Sequence, residues 1–187
     1  MPPSPAPESQ HPPRASAGPD RAIVVMGVSG CGKSTLGALL AATLGCRFLE
    51  GDAFHSADAV EKMRAGTPLD DADRWPWLAR VGGAGAQAMA QDGTVVLACS
   101  ALRRAYRDAL RERLGGRARF VLLEHDRDRL LARLESRPGH YMPSSLLDSQ
   151  LATLERPGPG EDALVLASLD PPEALCGAVI EWLGDTG

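Results

Sequence analysis

The sequence has no cysteine pattern of the kind that builds a metal site or a disulfide framework. Its four cysteines are widely spaced, without a CxxC pair or histidines at metal-ligand spacing: Cys31, Cys46, Cys99 and Cys176. Disulfides are rare in the reducing cytosol, so these residues are interpreted as free thiols of a cytoplasmic protein.

Long apolar runs are also missing. No stretch approaches the roughly 18 apolar residues of a membrane span, and the N-terminus lacks the apolar core of a signal peptide. The first twenty residues are mostly Pro, Ser and Ala, with too little apolar surface to fold. We therefore expect no membrane association, a disordered Pro-rich leader at residues 1–20 and a single domain at residues 21–187.

The chain carries no large excess of charge of either sign. Its formal net charge is -4, with 44% hydrophobic and 24% charged residues. These values are typical of a soluble globular protein and give no reason to expect nucleic acid as a partner. A length of 187 residues is sufficient for one domain with a substantial core.

Short apolar runs alternate with longer amphipathic segments along the domain. The apolar runs are rich in β-branched residues and predict strands at residues 22–27, 46–50, 94–100, 118–124 and 163–168. The amphipathic segments predict helices at residues 34–44, 57–64, 75–90, 103–114, 127–137, 146–155 and 172–183. This alternation predicts an α/β fold, in which a mainly parallel sheet has helices on both faces.

The strongest motif is GVSGCGKST, which follows the first predicted strand and precedes the first predicted helix. It fits the phosphate-binding pattern G-x-x-x-x-G-K-[ST], whose glycines let successive N–H groups point at a phosphate chain. Lys33 is expected to reach the β- and γ-phosphates of a nucleotide, and the Ser34 hydroxyl to bind Mg²⁺. The predicted nucleotide site comprises Gly27, Val28, Ser29, Gly30, Cys31, Gly32, Lys33, Ser34 and Thr35. A glycine-rich turn without a ligand is the alternative.

Motifs of other P-loop classes are absent. The sequence contains neither DxxG nor NKxD, which disfavours a guanine-nucleotide switch. The third predicted strand ends in Cys99 and Ser100 rather than in the aspartate of a usual Walker B motif. P-loop domains of this size are most often kinases for small acceptors, so analogy favours a phosphotransferase.

Polar residues after the second predicted strand are candidates for the acceptor side of such a reaction. Ligands of a parallel sheet bind at the carboxyl ends of its strands, so Asp52 is expected to face the phosphate loop. Its carboxylate is suited to act as a base or to orient a substrate hydroxyl. A helix cap or turn is the alternative. Glu50 is placed to reach Mg²⁺ through water, and His55 is a weaker candidate for substrate contact.

Arginines follow in positions where a guanidinium can meet a carboxylate or a phosphate. Arg74 comes after an aspartate-rich segment whose Asp70, Asp71 and Asp73 are suited to cap the next helix. Arg103 and Arg107 lie on the helix after the third strand, and only the arginines in its first turns can face the site. A solvated helix face is the alternative for these side chains.

A second set of arginines leads into a polar insert at residues 138–149, which we predict to be a mobile lid. Arg133 and Arg137 are four residues apart and therefore lie along one helical face. An arginine that enters a site on closure stabilises the transferring charge and helps to exclude water. Arg137 is the first candidate for this catalytic role and Arg133 the second, with exposed arginines as the alternative.

Six segments together resemble the gluconokinase family: MGVSGCGKST, EGDAFH, EKMRAGTPLDDADRWPWL, CSALRRAYRDALR, RPGHYM and QLATLERP. The resemblance implies a P-loop fold like that of nucleoside monophosphate kinases and shikimate kinase, with a five-stranded parallel sheet and a lid. It also implies Mg²⁺-ATP as donor, D-gluconate as the acceptor at its 6-hydroxyl, and a homodimer.

The resemblance also implies roles for particular residues. ATP phosphates are expected at residues 27–35, with Lys33, Asp52 and Arg137 in catalysis and Arg133 as a further ATP contact. Gluconate is expected to contact Asp52, His55, Arg74, Arg103, Arg107 and His140.

Two other functions stay open from the residues themselves. One is another small-molecule P-loop kinase, acting on shikimate or on a nucleotide. The other is a non-catalytic nucleotide-binding module that has kept the phosphate loop without turnover. The segments after the second and third strands separate gluconokinases from the first alternative, and acceptor-dependent ADP formation separates an enzyme from the second.

Overall fold

Five parallel strands form the centre of the fold. The computed structural model describes residues 20–135, 144–167 and 169–184. Within these ranges the strands pair in the order β2-β3-β1-β4-β5. Their bounds are β1 (Arg21–Met26), β2 (Arg47–Glu50), β3 (Thr94–Ala98), β4 (Ala118–Glu124) and β5 (Ala163–Ala167). The predicted α/β fold with a five-stranded parallel sheet is confirmed.

The central strand β1 is buried because it has a hydrogen-bonded neighbour on each side and helices on both faces. Ile23, Val24 and Val25 have no exposed surface. Branched side chains pack well on the pleated surface of a strand, and a continuous apolar run is typical of a parallel sheet that is covered on both faces. The sequence of β1 therefore suits the central position that it occupies.

Helices cover both faces of this sheet. Their bounds are α1 (Lys33–Leu44), α2 (Ala57–Arg64), α3 (Asp71–Asp92), α4 (Arg104–Arg113), α5 (Arg127–Glu135), α6 (Ser144–Thr153) and α7 (Pro172–Gly184). On one face, α3 and α4 bury Leu78, Val81 and Leu110 against the strands. On the other face, α1 and α7 pack together and bury Leu40 and Val179. Among the described helices, none combines the length and the apolar character needed to cross a membrane.

Helix α3 begins at Asp71 rather than at the predicted residue 75, because two aspartates cap it. The Asp70 carboxylate accepts from the Asp73 N–H at 3.0 Å, and the Asp73 carboxylate accepts from the Asp70 N–H at 3.2 Å. This reciprocal capping satisfies N–H groups that the first turn of a helix leaves without partners. The predicted capping role of Asp70 and Asp73 is confirmed.

A buried ion pair ties α4 to the segment between α6 and β5. The Arg107 side chain is fully buried and that of Glu161 is 3% exposed. Arg107 donates through Nε and Nη2 to the two Glu161 carboxylate oxygens, at 2.6 and 3.1 Å. Its Nη1 donates to the carbonyl oxygens of Ala101, Leu102 and Glu155. Hydrogen bonding from Arg107 also holds the pKa of Glu161 below its usual value. The pair therefore stabilises the packing of α4 against the segment between α6 and β5.

Removal of one partner of this ion pair should destabilise the fold. Glu161→Ala leaves the guanidinium of Arg107 buried without its carboxylate, and a charge isolated in this way costs about 3–5 kcal/mol. Urea unfolding followed by circular dichroism measures the free energy of unfolding. Glu112→Ala, which truncates an exposed glutamate on α4, is the matched control. Equal unfolding free energies for the two variants would contradict a stabilising contribution of the ion pair.

Candidate active site

The phosphate loop makes a tight turn between β1 and α1. Gly27, Gly30 and Gly32 adopt φ angles of 136°, 80° and 100°, in the region that favours glycine. A Cβ on Gly27 would lie 2.8 Å from the Leu123 carbonyl oxygen, and one on Gly30 would lie 2.9 Å from Cδ2 of Leu134. The loop therefore needs glycine for its backbone conformation and also for its close fit under β4 and α5.

The start of α1 is suited to hold an anion. Its cap residue Gly32 provides no side-chain hydrogen bond, and the first turn carries no acidic residue. The N–H groups at the start of a helix lack intrahelical partners and carry partial positive charge, which attracts phosphate. Ser34 and Thr35 are exposed at this point, and the Lys33 ammonium donates to the Val28 carbonyl oxygen at 3.0 Å. These donors suit the phosphate chain of a nucleoside triphosphate, and the exposed hydroxyl of Ser34 is suited to bind the Mg²⁺ that accompanies it.

The strand order brings the acceptor residues to the same edge of the sheet as this loop. Glu50 ends β2 and Asp52 follows it, while Cys99 follows β3. The Cys99 thiol is fully buried, and burial is the largest cause that raises its pKa to about 12. Asp52 and Glu50 raise this pKa further and Lys33 lowers it, so all three charges lie close to the end of β3. Val25 of β1 and Glu50 of β2 both pair with Ala98 of β3, so Asp52 follows a strand end at the same edge of the sheet as the phosphate loop. Its contact with a substrate stays a prediction.

Asp52 is presented to solvent by a short 3₁₀ helix, Gly51–Phe54. Its side chain is 69% exposed. Gly51 is needed beneath it, because a Cβ there would lie only 2.2 Å from the carbonyl oxygen of Ala98. This close approach keeps the turn against β3 and leaves the Asp52 carboxylate free to face a ligand.

His55 lies beside Asp52 but is mostly buried. Its side chain is 5% exposed, with Nε2 3.8 Å from Oδ1 of Asp52. The imidazole stacks on the ring of Trp77, with centroids 4.4 Å apart and planes 12° apart. The indole N–H of Trp77 donates to the Gly51 carbonyl oxygen at 2.8 Å. Trp77 therefore supports both His55 and the turn that carries Asp52.

The environment of His55 favours its neutral form. Burial lowers the pKa of His55 from its ordinary value of 6.5, and the cations of Arg80 and Arg74 lower it further. The carboxylates of Asp52 and Asp73 oppose this shift. A neutral imidazole can donate or accept a hydrogen bond without adding charge to the site.

A pocket of about 340 Å³, here called the arginine pocket, lies between the start of α3, the start of α4 and α6. It contains the predicted substrate residues Arg74 and Arg103. The other lining residues are Leu69, Asp70, Asp71, Tyr106, Ser149 and Thr153. The charge of Arg74 lowers the pKa of His55. The pocket therefore lies near His55 and its neighbour Asp52.

Tyr106 organises the two arginines of this pocket. The guanidinium carbons of Arg74 and Arg103 lie 5.6 and 5.7 Å from the centre of its ring, within the range of cation–π attraction. Asp71 accepts a hydrogen bond from the Tyr106 hydroxyl and two from Nη1 of Arg103, each at 3.2 Å. The pocket thus combines two guanidiniums, two carboxylates and the ring of Tyr106, against which the 41% exposed Trp75 packs edge-on. This arrangement suits a small anion with a carboxylate group.

Arg107 was predicted to contact the substrate, and the structure contradicts this prediction. It is buried, and its donors are occupied by Glu161 and by backbone carbonyls. Arg107 lies one helical turn beyond Arg103, and the direction of its side chain turns it toward the interior. It therefore supports the site from within the fold, and its side chain has no exposed surface.

The predicted lid falls largely in the undescribed part of the chain. Arg137 and His140 lie outside the described residues, as does the first part of the 138–149 insert. The side chain of Arg133 is likewise outside the described set, although its backbone belongs to α5. The roles of these residues stay predictions. Residues 144–149 of the insert form the first turns of α6.

Three contributors to the site went unpredicted: Tyr106, Asp71 as its partner, and Gln150. Tyr106 follows Arg103 by three residues, a spacing that places both on one side of α4. That spacing was the available signal for Tyr106. Gln150 on α6 accepts a hydrogen bond from the N–H of Ser29 in the phosphate loop, at 2.7 Å. No local pattern marks a contact between residues so far apart in the sequence.

The low pKa of His55 should make the protein less stable in mild acid. Below about pH 6.5 the unfolded state binds a proton at this histidine more readily than the folded state, so acid favours unfolding. Wild-type stability should fall as the pH drops through 6.5, the ordinary pKa of histidine, and level off below the lower folded-state pKa. His55→Phe, which keeps an aromatic ring on Trp77, should show a smaller fall. Urea unfolding at each pH measures both, and identical pH profiles would contradict the assignment.

Comparisons with known proteins agree with this geometry. A family model described as an AAA domain matches residues 23–157. The gluconokinase of Gluconobacter oxydans (strain 621H) is 46% identical over 156 residues, which span 83% of this chain and 86% of that protein. The crystal structure of a gluconokinase from Sinorhizobium meliloti 1021 superposes with a TM-score of 0.80 at 42% identity, covering 89% of this chain and 93% of that chain.

More distant structures share the fold alone. A shikimate kinase from Bacteroides thetaiotaomicron has a TM-score of 0.62 at 17% identity, covering 88% of this chain and 98% of that chain. The fold is thus shared with a distant kinase, whereas the relatives above 40% identity show the family. This chain belongs to the gluconokinase family.

Proposed function

We propose that the protein is an ATP-dependent gluconokinase, which transfers the γ-phosphoryl group of Mg²⁺-ATP to the 6-hydroxyl of D-gluconate. The observation that carries the proposal is the shared sheet edge, where the strand before the phosphate loop and the strand before Asp52 both end beside Ala98 of β3. The arginine pocket contains Arg74, whose charge acts on His55 next to Asp52. A phosphate loop alone serves many reactions. The loop, the carboxylate and the arginine pocket together serve transfer to an anionic polyol.

The donor side rests on the phosphate loop. Residues 27–35 cradle the phosphates with backbone N–H groups, and Lys33 exchanges its hydrogen bond to Val28 for phosphate oxygens. Ser34 holds the metal through its hydroxyl, and Glu50 is placed to act through water. When bound, Mg²⁺ neutralises charge that develops on the β- and γ-phosphate oxygens.

The acceptor side rests on opposite charges at its two ends. Arg74 and Arg103 bind the carboxylate of gluconate, because a guanidinium pairs with a carboxylate through two N–H groups. Asp52 accepts a hydrogen bond from the 6-hydroxyl and orients it for attack. The neutral imidazole of His55 offers a further hydrogen bond to a hydroxyl, since burial lowers its pKa.

Transfer is direct and in line, without a covalent enzyme intermediate. The hydroxyl oxygen forms a bond to phosphorus as the bond to the ADP oxygen breaks, and the hydroxyl proton moves toward Asp52. Cys99, the nearby thiol, is unsuited as a nucleophile because burial raises its pKa to about 12. Arg137, with Arg133 as the second candidate, is proposed to neutralise the transferring charge, and His140 to contact gluconate.

We also propose a homodimer in the cytoplasm, as the family resemblance implies. None of the four cysteines, all within the described residues, forms a disulfide, which suits a reducing compartment. A molar mass equal to one chain in light scattering of the purified protein would rule out the dimer.

A panel of acceptors tests the function. With Mg²⁺-ATP, we expect acceptor-dependent ADP formation with D-gluconate and none with shikimate or nucleoside monophosphates, because Arg74 and Arg103 are proposed to bind the carboxylate while Asp52 orients the hydroxyl at the other end of the linear acid. A coupled ADP assay measures the rates, and phosphorus NMR of the product locates the phosphate. The Lys33→Ala variant is the control for contaminating kinases. Absence of product with gluconate would refute the proposal.

Asp52→Asn should lower kcat by about 100-fold or more while ATP still binds, because the amide cannot accept the hydroxyl proton. Steady-state kinetics give kcat, and calorimetric titration gives the Kd for ATP. Asp58→Asn, which changes an exposed aspartate in the first turn of α2, is the matched control. Near wild-type turnover in Asp52→Asn would show that this carboxylate neither accepts the proton nor orients the substrate.

A further inference from the structure

The phosphate loop is held from outside by a side chain of α6. The N–H of Ser29 donates to Oε1 of Gln150 at 2.7 Å, across 121 positions of sequence. This distance is at the short end of the range for N–H···O hydrogen bonds. Both residues are half-buried, so the bond is partly shielded from competing water. The NH₂ group of Gln150 makes no hydrogen bond to any residue in the described ranges.

A loop rich in glycine needs such a restraint. Glycine resists no backbone rotation, so Gly27, Gly30 and Gly32 cannot by themselves keep the loop in one shape. The N–H of Gly27 donates to the Ser100 carbonyl oxygen at 3.2 Å and fixes the start of the loop. The N–H of Ser29 is the next fixed point along the chain, and its partner belongs to a different structural element.

Helix α6 is itself firmly placed. Leu147 is fully buried and Leu146 is 7% exposed. Asp148 pairs with Arg127 of α5 through two hydrogen bonds of 2.6 and 3.0 Å. Just beyond α6, the N–H of Glu155 donates to the Leu102 carbonyl oxygen at 2.8 Å. Gln150 therefore connects the loop to a helix that is bonded to α5 and to the segment before α4.

The same helix, α6, also forms part of the arginine pocket. Ser149 and Thr153 line it together with Arg74, Arg103 and Tyr106. Gln150 lies between these two residues in the sequence and reaches the phosphate loop instead. One helix thus contacts the donor side through Gln150 and the acceptor side through Ser149 and Thr153.

We propose that Gln150 is a positioning residue for phosphoryl transfer. Its side-chain oxygen holds the Ser29 amide and thereby sets the phosphate loop at a fixed distance from the acceptor pocket. The proposal rests on the function proposed above. In-line transfer is sensitive to such placement, since a shift of about 1 Å at the reacting groups can cost about 100-fold in rate.

Two variants of Gln150 test the proposal. Gln150→Leu removes the acceptor oxygen and should lower kcat by about 10- to 100-fold, with the KM values for ATP and gluconate changed by less than about threefold. Gln150→Glu keeps an oxygen at the same reach and should transfer faster than the Leu variant. Gln87→Leu, which makes the same change at an exposed position of α3, is the control and should match the wild type.

Hydrogen exchange at the Ser29 amide separates positioning from a loss of folding. Exchange followed by NMR should become faster in Gln150→Leu and remain slow in Gln150→Glu, with similar melting temperatures for both. The proposal is overturned by a kcat within about twofold of wild type in the Leu variant. Unchanged Ser29 exchange in the Leu variant, or a Glu variant no faster than Leu, would overturn it equally. An inactive wild type would instead refute the gluconokinase function. Hydrogen exchange at Ser29 would still report whether its N–H is bonded to Gln150.

Discussion

The turn at Gly27 is the constraint on which the rest of the site depends. Its N–H donates to Ser100 after β3, and a Cβ at Gly27 would lie 2.8 Å from the Leu123 carbonyl oxygen in β4. The central strand therefore delivers the phosphate loop into a space between its two neighbours where only glycine fits. Since parallel strands end at one edge of the sheet, the residues after β2 and β3 meet the loop there.

Charge in this protein acts through local placement. The net charge of -4 does not attract an anionic substrate over long distances. Under the proposed function, capture depends instead on Arg74 and Arg103, which lie on the ring of Tyr106, with Arg103 also bonded to Asp71. Arg107, on the same side of the sheet, stabilises the framework because a buried carboxylate occupies its guanidinium. Burial and the available partners, rather than residue type, separate the two roles.

Much of the fold followed from local patterns. The strand and helix bounds agree closely with the apolar periodicity, and α3 differs at its start because the Asp70–Asp73 capping box operates before the apolar pattern begins. The phosphate loop was predictable because all of its features lie within nine consecutive residues of one motif. The contacts of Tyr106 with Asp71 and of Gln150 with Ser29 were not predictable, since the partners lie 35 and 121 positions apart in the sequence. A local pattern carries no information about contacts at such separations.

The sequence by itself determined the class of chemistry. The glycine spacing, Lys33 and Ser34 specify a phosphate site, and Asp52 after a strand specifies a carboxylate at the same sheet edge. The tertiary structure decided which cations serve the site. It buried Arg107 against Glu161, placed Arg74 and Arg103 on Tyr106 and brought Gln150 to the phosphate loop. The physical reason is that hydrogen bonds and ion pairs depend on distance and burial, and the packing of α4 and α6 on the sheet sets both.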